Sequence, residues 1–141
     1  MAIGFKLILN KFSSTPKNIF ILDGIGATLS AFLLGVILVR FEFVFGMPLT
    51  PLYVLASIAI MLATYSFSCY FLLTDNWNSA FMKVIVIANL LYCCLSIILV
   101  IYFFEELTIW GVIYFLLELL VTCGLIIIER WVYSKLNTEK L

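Results

Sequence analysis

The sequence predicts an all-α polytopic membrane protein, an antiparallel up-and-down bundle of four transmembrane helices. Hydrophobic residues make up 65% of the 141 residues and charged residues only 11%, whereas a soluble domain carries about 25% charged residues. The mean hydropathy is +1.23. Four long apolar segments, separated by short polar connections, cover residues 18–39, 51–73, 80–104 and 108–128. Together these observations indicate several membrane spans rather than a globular core or a single anchor.

Each apolar segment is long enough to cross a bilayer. About 20 residues at a rise of about 1.5 Å per residue span a hydrocarbon core of about 30 Å. Short connections place consecutive helices side by side and antiparallel. We therefore expect one transmembrane domain over residues 16–133, preceded by a separate segment 1–15 and followed by a tail 134–141.

Helix-start signals precede three of the spans. A threonine before the span can cap a helix, and a proline suits the first helical position. The sequence has Thr15–Pro16, Thr50–Pro51 and Thr108 at such places, together with polar or glycine-containing turns at 45–48 and 75–80.

The first residues predict a short helix that lies on the membrane surface. Ile3, Phe5, Ile8, Leu9 and Phe12 fall near helical spacing, with lysines between them. Such a helix buries one apolar face in the interface and is too short to span. A frayed tail is the alternative.

The basic residues predict the orientation. All of the eight lysines and arginines except Arg40 fall on the side of the membrane that holds both termini. Because short cytoplasmic loops are enriched in basic residues, we expect both termini in the cytoplasm of a bacterial inner membrane.

Composition also argues against several function classes. The chain has no histidine and a net charge of zero, so neither a metal site nor a nucleic-acid surface is expected. The four cysteines lie in apolar runs without a Cys-x-x-Cys pair, which favours a packing role. We expect no cofactor and no enzymatic activity; the lipid bilayer is the predicted partner, and a homo-oligomer or a larger membrane-protein client remains open.

Glu118 is the residue that bears most directly on function. It lies within the apolar run VIYFLLELLV, residues 112–121, where a charged side chain costs about 2.5–3.5 kcal/mol on insertion scales. Its helix presents a small or polar stripe formed by Gly111, Tyr114, Glu118 and Thr122, and further on by Glu129. We therefore expect Glu118 to face the bundle interior.

Depth along the helices suggests partners for this acid. Counted from the cytoplasmic ends, Glu118, Ser30 and Tyr92 lie roughly 18 Å into the membrane, and Tyr65 and Asn89 roughly 13 Å. We predict a buried network of Glu118, Asn89, Tyr65 and Ser30, with Tyr92 beside it.

Asp23 is predicted to be a second buried acid, about two turns into the first helix. Lys17 or Lys83 could reach it by extending along the helices. On the same helix, Ala27, Ala31 and Gly35 form a small-xxx-small ridge for close helix packing. Whether the ridge packs within the chain or against a second subunit stays open, and internal packing is the simpler interpretation.

Two functions fit these residues, and the first of them is the preferred interpretation. In the first, the polar groups fix helix register and the protein is a scaffold or an accessory subunit. In the second, Glu118 exchanges protons and couples them to the movement of a small solute or cation. An enzyme is the weakest interpretation, since no nucleophile or metal cluster is evident.

The chain resembles small four-helix membrane proteins of Bacteroidetes-type bacteria. The resemblance covers Leu22 to Glu129 and is carried by the segments LDGIGATLSAFLLGVILVRFE, FGMPLTPLYVLASIA, YSFSCYF, ANLLYCC and LTIWGVIYFLLEL. It implies the same topology but supplies no substrate. It also implies a recurring set of residues, namely Asp23, Gly26, Glu42, Gly46, Pro48, Tyr65, Asn89, Tyr92, Cys93, Cys94 and Glu118.

Overall fold

The structure is a computed structural model that describes residues 2–14, 17–72 and 80–139. Helices α1 (Ala2–Ser14) and α2 (Lys17–Phe32) come first, and α2 continues as a π-helical segment, Leu33–Leu38. They are followed by the short α3 (Glu42–Phe45), α4 (Leu49–Leu72), α5 (Ala80–Tyr102) and α6 (Ile109–Glu139). The described residues contain no strand, and the all-α prediction is confirmed.

Within the described part of the chain, four helices are long and apolar enough to cross a membrane, over Asn18–Leu38, Leu49–Leu72, Ala80–Tyr102 and Ile109–Lys135. This confirms the predicted four-helix bundle. Helix α6 continues beyond residue 128, the predicted end of the fourth span, to Glu139. The capping signal at Thr15–Pro16 and most of the turn at 75–80 lie outside the described residues.

The four spans form two closely packed pairs. The α2 helix packs along α4, and α5 packs along α6, whereas contact between the pairs is sparser. Close packing of α2 on α4 is possible because small residues meet there: a Cβ added to Gly35 would lie 3.3 Å from Ala56 Cβ. We call these units the first pair (α2 and α4) and the second pair (α5 and α6).

Hydrogen bonds join the two pairs at the end opposite the termini. The Thr108 backbone N–H donates to the Phe45 carbonyl at 3.2 Å, and the Thr108 hydroxyl donates to the Val44 carbonyl. Thr108 also caps α6, as predicted, by accepting the Gly111 N–H at 3.3 Å. Gly46, with φ of 79°, follows α3 in the left-handed region, so a turn that favours glycine leads into this contact.

The N-terminal helix α1 contacts α6 and, to a lesser extent, α2. Ile3, Phe5 and Leu7 are exposed on it. The predicted helical conformation is present, and the position of α1 on a membrane surface remains a prediction.

Candidate functional site

A cluster of polar side chains joins all four spans in the third of the bundle nearest the termini. Asp23 accepts hydrogen bonds from the Ser66 hydroxyl at 2.5 Å and from Asn89 Nδ2 at 2.7 Å. Asn89 Nδ2 also donates to Glu129, at 3.2 Å to each carboxyl oxygen. The Asp23 and Glu129 carboxyls lie close together, because both accept from the same nitrogen atom, Asn89 Nδ2. We call these four residues the terminal-side cluster.

The terminal-side cluster is withdrawn from the surroundings of the protein. Asp23 is 1% exposed and Glu129 is 0% exposed. Towards the termini, one turn or so further along each helix, the cluster is covered by a layer of buried side chains, namely Ile19, Phe20, Cys69, Met82, Ile85 and Val132. Two acids are therefore held behind an apolar barrier at this end of the bundle.

Glu118 forms a second polar group, about three helical turns from Glu129 and further from the termini. The Tyr92 hydroxyl donates to Glu118 Oε1 at 2.7 Å, and Ser30 lies beside the same carboxyl. Glu118 Oε2 is buried with no hydrogen-bond partner among the described residues, and the same holds for Ser96 Oγ. We call Glu118, Tyr92 and Ser30 the central cluster.

The central cluster is also closed off from the loop end of the bundle. Its neighbours there are the larger apolar core, which includes Leu34, Leu38, Met47, Leu52, Leu55 and Phe115. Both polar clusters thus lie between two apolar layers, one towards each membrane face.

A cavity of about 30 Å³ lies between the two clusters. Asp23 and Asn89 line it from the terminal-side cluster, and Ser30 and Tyr92 line it from the central cluster. The cavity has a mixed lining, with polar groups at both ends, and its size leaves room for one water molecule. The side chains around it could therefore exchange protons through a single bridging molecule.

The predicted network of Glu118, Asn89, Tyr65 and Ser30 is wrong in two respects. Asn89 lies against Asp23 and Glu129 instead of Glu118, because it projects from α5 about one turn nearer the termini than Tyr92. The Tyr65 hydroxyl points out of the interior and donates to the Phe81 carbonyl at 3.1 Å.

The partner predicted for Asp23 is also corrected. Ser66 and Asn89 occupy both of its carboxyl oxygens, while Lys83 is exposed on α5. The side chain of Lys17 lies outside the described residues. Asp23 is thus held by neutral donors from α4 and α5.

The sequence analysis missed Glu129 as a member of the site. Glu129 follows Glu118 by about three helical turns on the same stripe, which was the available signal. Ser66 was not predicted to belong to the site either.

The ridge of small residues predicted for helix packing makes contacts inside this chain. Ala27 packs against the larger apolar core and lines the cavity. Ala31 is half-buried, and Gly35 faces Ala56 of α4. The ridge therefore serves α2–α4 packing, at least at Gly35.

The described residues contain no group of three or more histidine, cysteine, aspartate or glutamate side chains suited to a metal ion. All four cysteines are free thiols. Cys93 faces Cys123 of α6 rather than pairing with its neighbour Cys94.

Comparison with protein-family models, with curated proteins and with solved structures finds no match. The function has to be inferred from the side chains themselves. Their arrangement suits the reversible binding of protons, since carboxyl groups, a phenol, a hydroxyl and an amide meet in a closed interior.

Proposed function

We propose that the protein is a proton-coupled transporter for a small cation, with Glu118 as a proton site. The observation that supports this proposal is the placement of three buried acids, Asp23, Glu118 and Glu129, along the contact between the two helix pairs. Acids inside a membrane are costly, and they commonly mark ion pathways and proton relays.

A purely structural role does not require these acids. Asparagine and serine form interhelical hydrogen bonds without the cost of a buried charge. Among the described residues, the Glu118 carboxyl accepts one side-chain hydrogen bond, through Oε1, and its Oε2 has no partner. A group that alternates between a neutral and a charged form would account for this arrangement better than a permanent cross-link.

The position of the acids suggests how protons could be coupled to movement. The helix pairs are joined at the loop end by Thr108, whereas near the termini they meet through the terminal-side cluster. A change in protonation would weaken or restore that polar contact and let one pair rock against the other about the loop end.

The charge of the interior favours a cation as cargo. The described spans bury three carboxylic acids, those of Asp23, Glu118 and Glu129. A cation that enters as protons leave would keep the interior close to neutral.

A scaffold or accessory subunit is the second candidate, and the small size of the cavity favours it. At about 30 Å³ the cavity accommodates water rather than a solute. Hydrogen bonds across four spans could then serve chiefly to fix helix register, in a homo-oligomer or alongside a larger client.

For its location, we propose the bacterial inner membrane with both termini in the cytoplasm. The support is the unequal distribution of lysine and arginine, in which Arg40 alone lies on the opposite side.

Transport can be tested in vesicles of phosphatidylethanolamine and phosphatidylglycerol that contain a pH-sensitive dye. A proton gradient is imposed, and Na⁺, K⁺ or tetraphenylphosphonium is added outside. We expect wild-type protein to move protons against at least one of these cations and Glu118→Gln to abolish the exchange. The matched control is Glu106→Gln, which changes an exposed acid of the loop. Folded wild-type protein that moves no protons with any of the three cations would refute the proposal and leave the scaffold.

A further inference from the structure

We propose that Asp23 and Glu129 form a second proton-binding site, which holds one proton between two carboxyl groups. We also propose that a water molecule in the cavity connects this pair to Glu118. The coupling of the pair to cargo rests on the proposed function, but proton binding by the pair does not.

The hydrogen-bond donors around the pair are too few for two negative charges. Ser66 donates to one oxygen of Asp23, and one amide group, Asn89 Nδ2, serves both the other oxygen and Glu129. Two carboxylates that share one donor nitrogen repel strongly in a buried site. A proton on one carboxyl removes that repulsion and supplies the missing donor to the other.

The helices around the pair offer no closer source of positive charge among their described side chains. Lys83 on α5 and Arg130 on α6 are exposed, as is Lys6 on α1. On α4 the neighbouring titratable groups are Tyr65 and Cys69, one turn or less from Ser66, and both are neutral in their ordinary protonated form.

Asp23 and Glu129 resemble the carboxyl dyads of enzymes in one physical respect. Their protonation belongs to the pair rather than to either residue, because each group alters the charge felt by the other. The pair therefore carries a single negative charge shared over Asp23 and Glu129, stabilised by the amide of Asn89.

The cavity supplies the connection to the central cluster. Its lining includes Asp23 and Asn89 at one end and Tyr92 and Ser30 at the other, and the Tyr92 hydroxyl already donates to Glu118. One water can accept from the pair and donate to the Tyr92 oxygen, which would complete a chain of hydrogen bonds.

Proton transfer along this chain balances at each atom. The protonated carboxyl of the pair loses its O–H bond as the water oxygen gains one. The water passes a different proton to Tyr92, whose own O–H bond breaks as the proton joins Glu118 Oε1. Water and tyrosine end in their original neutral states, and one proton has moved from the pair to Glu118. The pair, left with two negative charges, must then take up a new proton, because its donors do not support that charge.

The proton on the pair can be detected by infrared difference spectroscopy, without any transport. In the Glu118→Gln background, we expect an absorption of a protonated carboxyl at neutral pH that shifts in D₂O. Adding Glu129→Gln should remove this absorption, and adding Glu106→Gln should leave it unchanged. Asp23→Asn provides a second variant if Glu129→Gln does not fold, as judged by circular dichroism.

An absent protonated-carboxyl band in the folded Glu118→Gln protein would overturn the second site. So would a band that survives both Glu129→Gln and Asp23→Asn. A band that behaves as expected in a protein without transport would instead refute the proposed function and retain the site, which keeps the two failures distinguishable.

The water link is tested by filling the cavity. Ala59 lines it, and Ala59→Val should slow hydrogen–deuterium exchange of the Glu118 carboxyl about tenfold or more. Thr64→Val creates the same side chain at an exposed position of α4 and should have no effect. Equal exchange rates in the two folded variants would overturn the link.

Discussion

The hydrogen bond from Tyr92 to Glu118 gives the sharpest test of the central cluster. Tyr92→Phe removes a single oxygen atom from a residue that is only 5% exposed. The change deletes the 2.7 Å hydrogen bond to Glu118 Oε1. Since Oε2 already has no partner among the described residues, the carboxyl would be left without a hydrogen-bond donor from those residues.

The magnitude follows from the loss of this donor. A buried acceptor left without its partner costs about 1–3 kcal/mol in proteins. Measured couplings between membrane helices are smaller, about 0.6 kcal/mol on average and about 1.7 kcal/mol at most. We expect Tyr92→Phe to lower the free energy of unfolding by about 1–2 kcal/mol, which is roughly a tenfold change in the folding equilibrium.

The assay is reversible unfolding of the purified protein by sodium dodecyl sulfate in mixed micelles, followed by circular dichroism. Tyr102→Phe is the matched control, because Tyr102 lies on the same helix and is 79% exposed. A double-mutant cycle with Glu118→Gln isolates the pair from the general effect of removing a hydroxyl. If Tyr92→Phe and Tyr102→Phe unfold alike, or if the cycle gives no coupling, the central cluster is not the energetic unit described above.

Three further predictions concern the rest of the molecule. Ser66→Ala removes a donor from Asp23 and should lower the free energy of unfolding by about 1 kcal/mol, whereas Ser57→Ala changes an exposed serine of the same helix and should change little; detergent unfolding compares the two. Gly111→Ala would bring a Cβ to 2.1 Å from the Phe45 carbonyl oxygen and should cost about 1–3 kcal/mol through overpacking. At Gly124 an added Cβ meets nothing within 4 Å, so Gly124→Ala should be neutral or stabilising in the same assay. Fusions at the C-terminus should give active green fluorescent protein and inactive alkaline phosphatase, and the reverse pattern would contradict the cytoplasmic termini.

Much of the fold was predictable because lipid imposes simple rules on sequence. Apolar length identified the four spans, since backbone polar groups must be satisfied within helices. Depth along the helices also placed Ser30 and Tyr92 level with Glu118, and these two residues do surround it. Both conclusions need only the rise per residue and the position of the span ends.

The grouping of the polar residues was less predictable. Asn89 and Tyr65 were assigned similar depths, yet Asn89 faces the interior and Tyr65 reaches towards Phe81. Depth says nothing about the rotation of a helix about its axis, and polar side chains of one helix can face different neighbours. Glu129 was missed for a related reason, since apolar length marks a span poorly where a buried acid belongs to the same helix.

The amino-acid pattern thus dictates four spans and an acidic interior, because transfer of side chains into lipid depends on their composition and order along the chain. Which acids share donors depends on helix rotation and on the contact between the two pairs. Those are set by side-chain packing, such as that of Gly35 on Ala56, and by loop contacts, such as that of Thr108 with Phe45. Two separate clusters with a cavity between them are therefore a property of the packed tertiary structure.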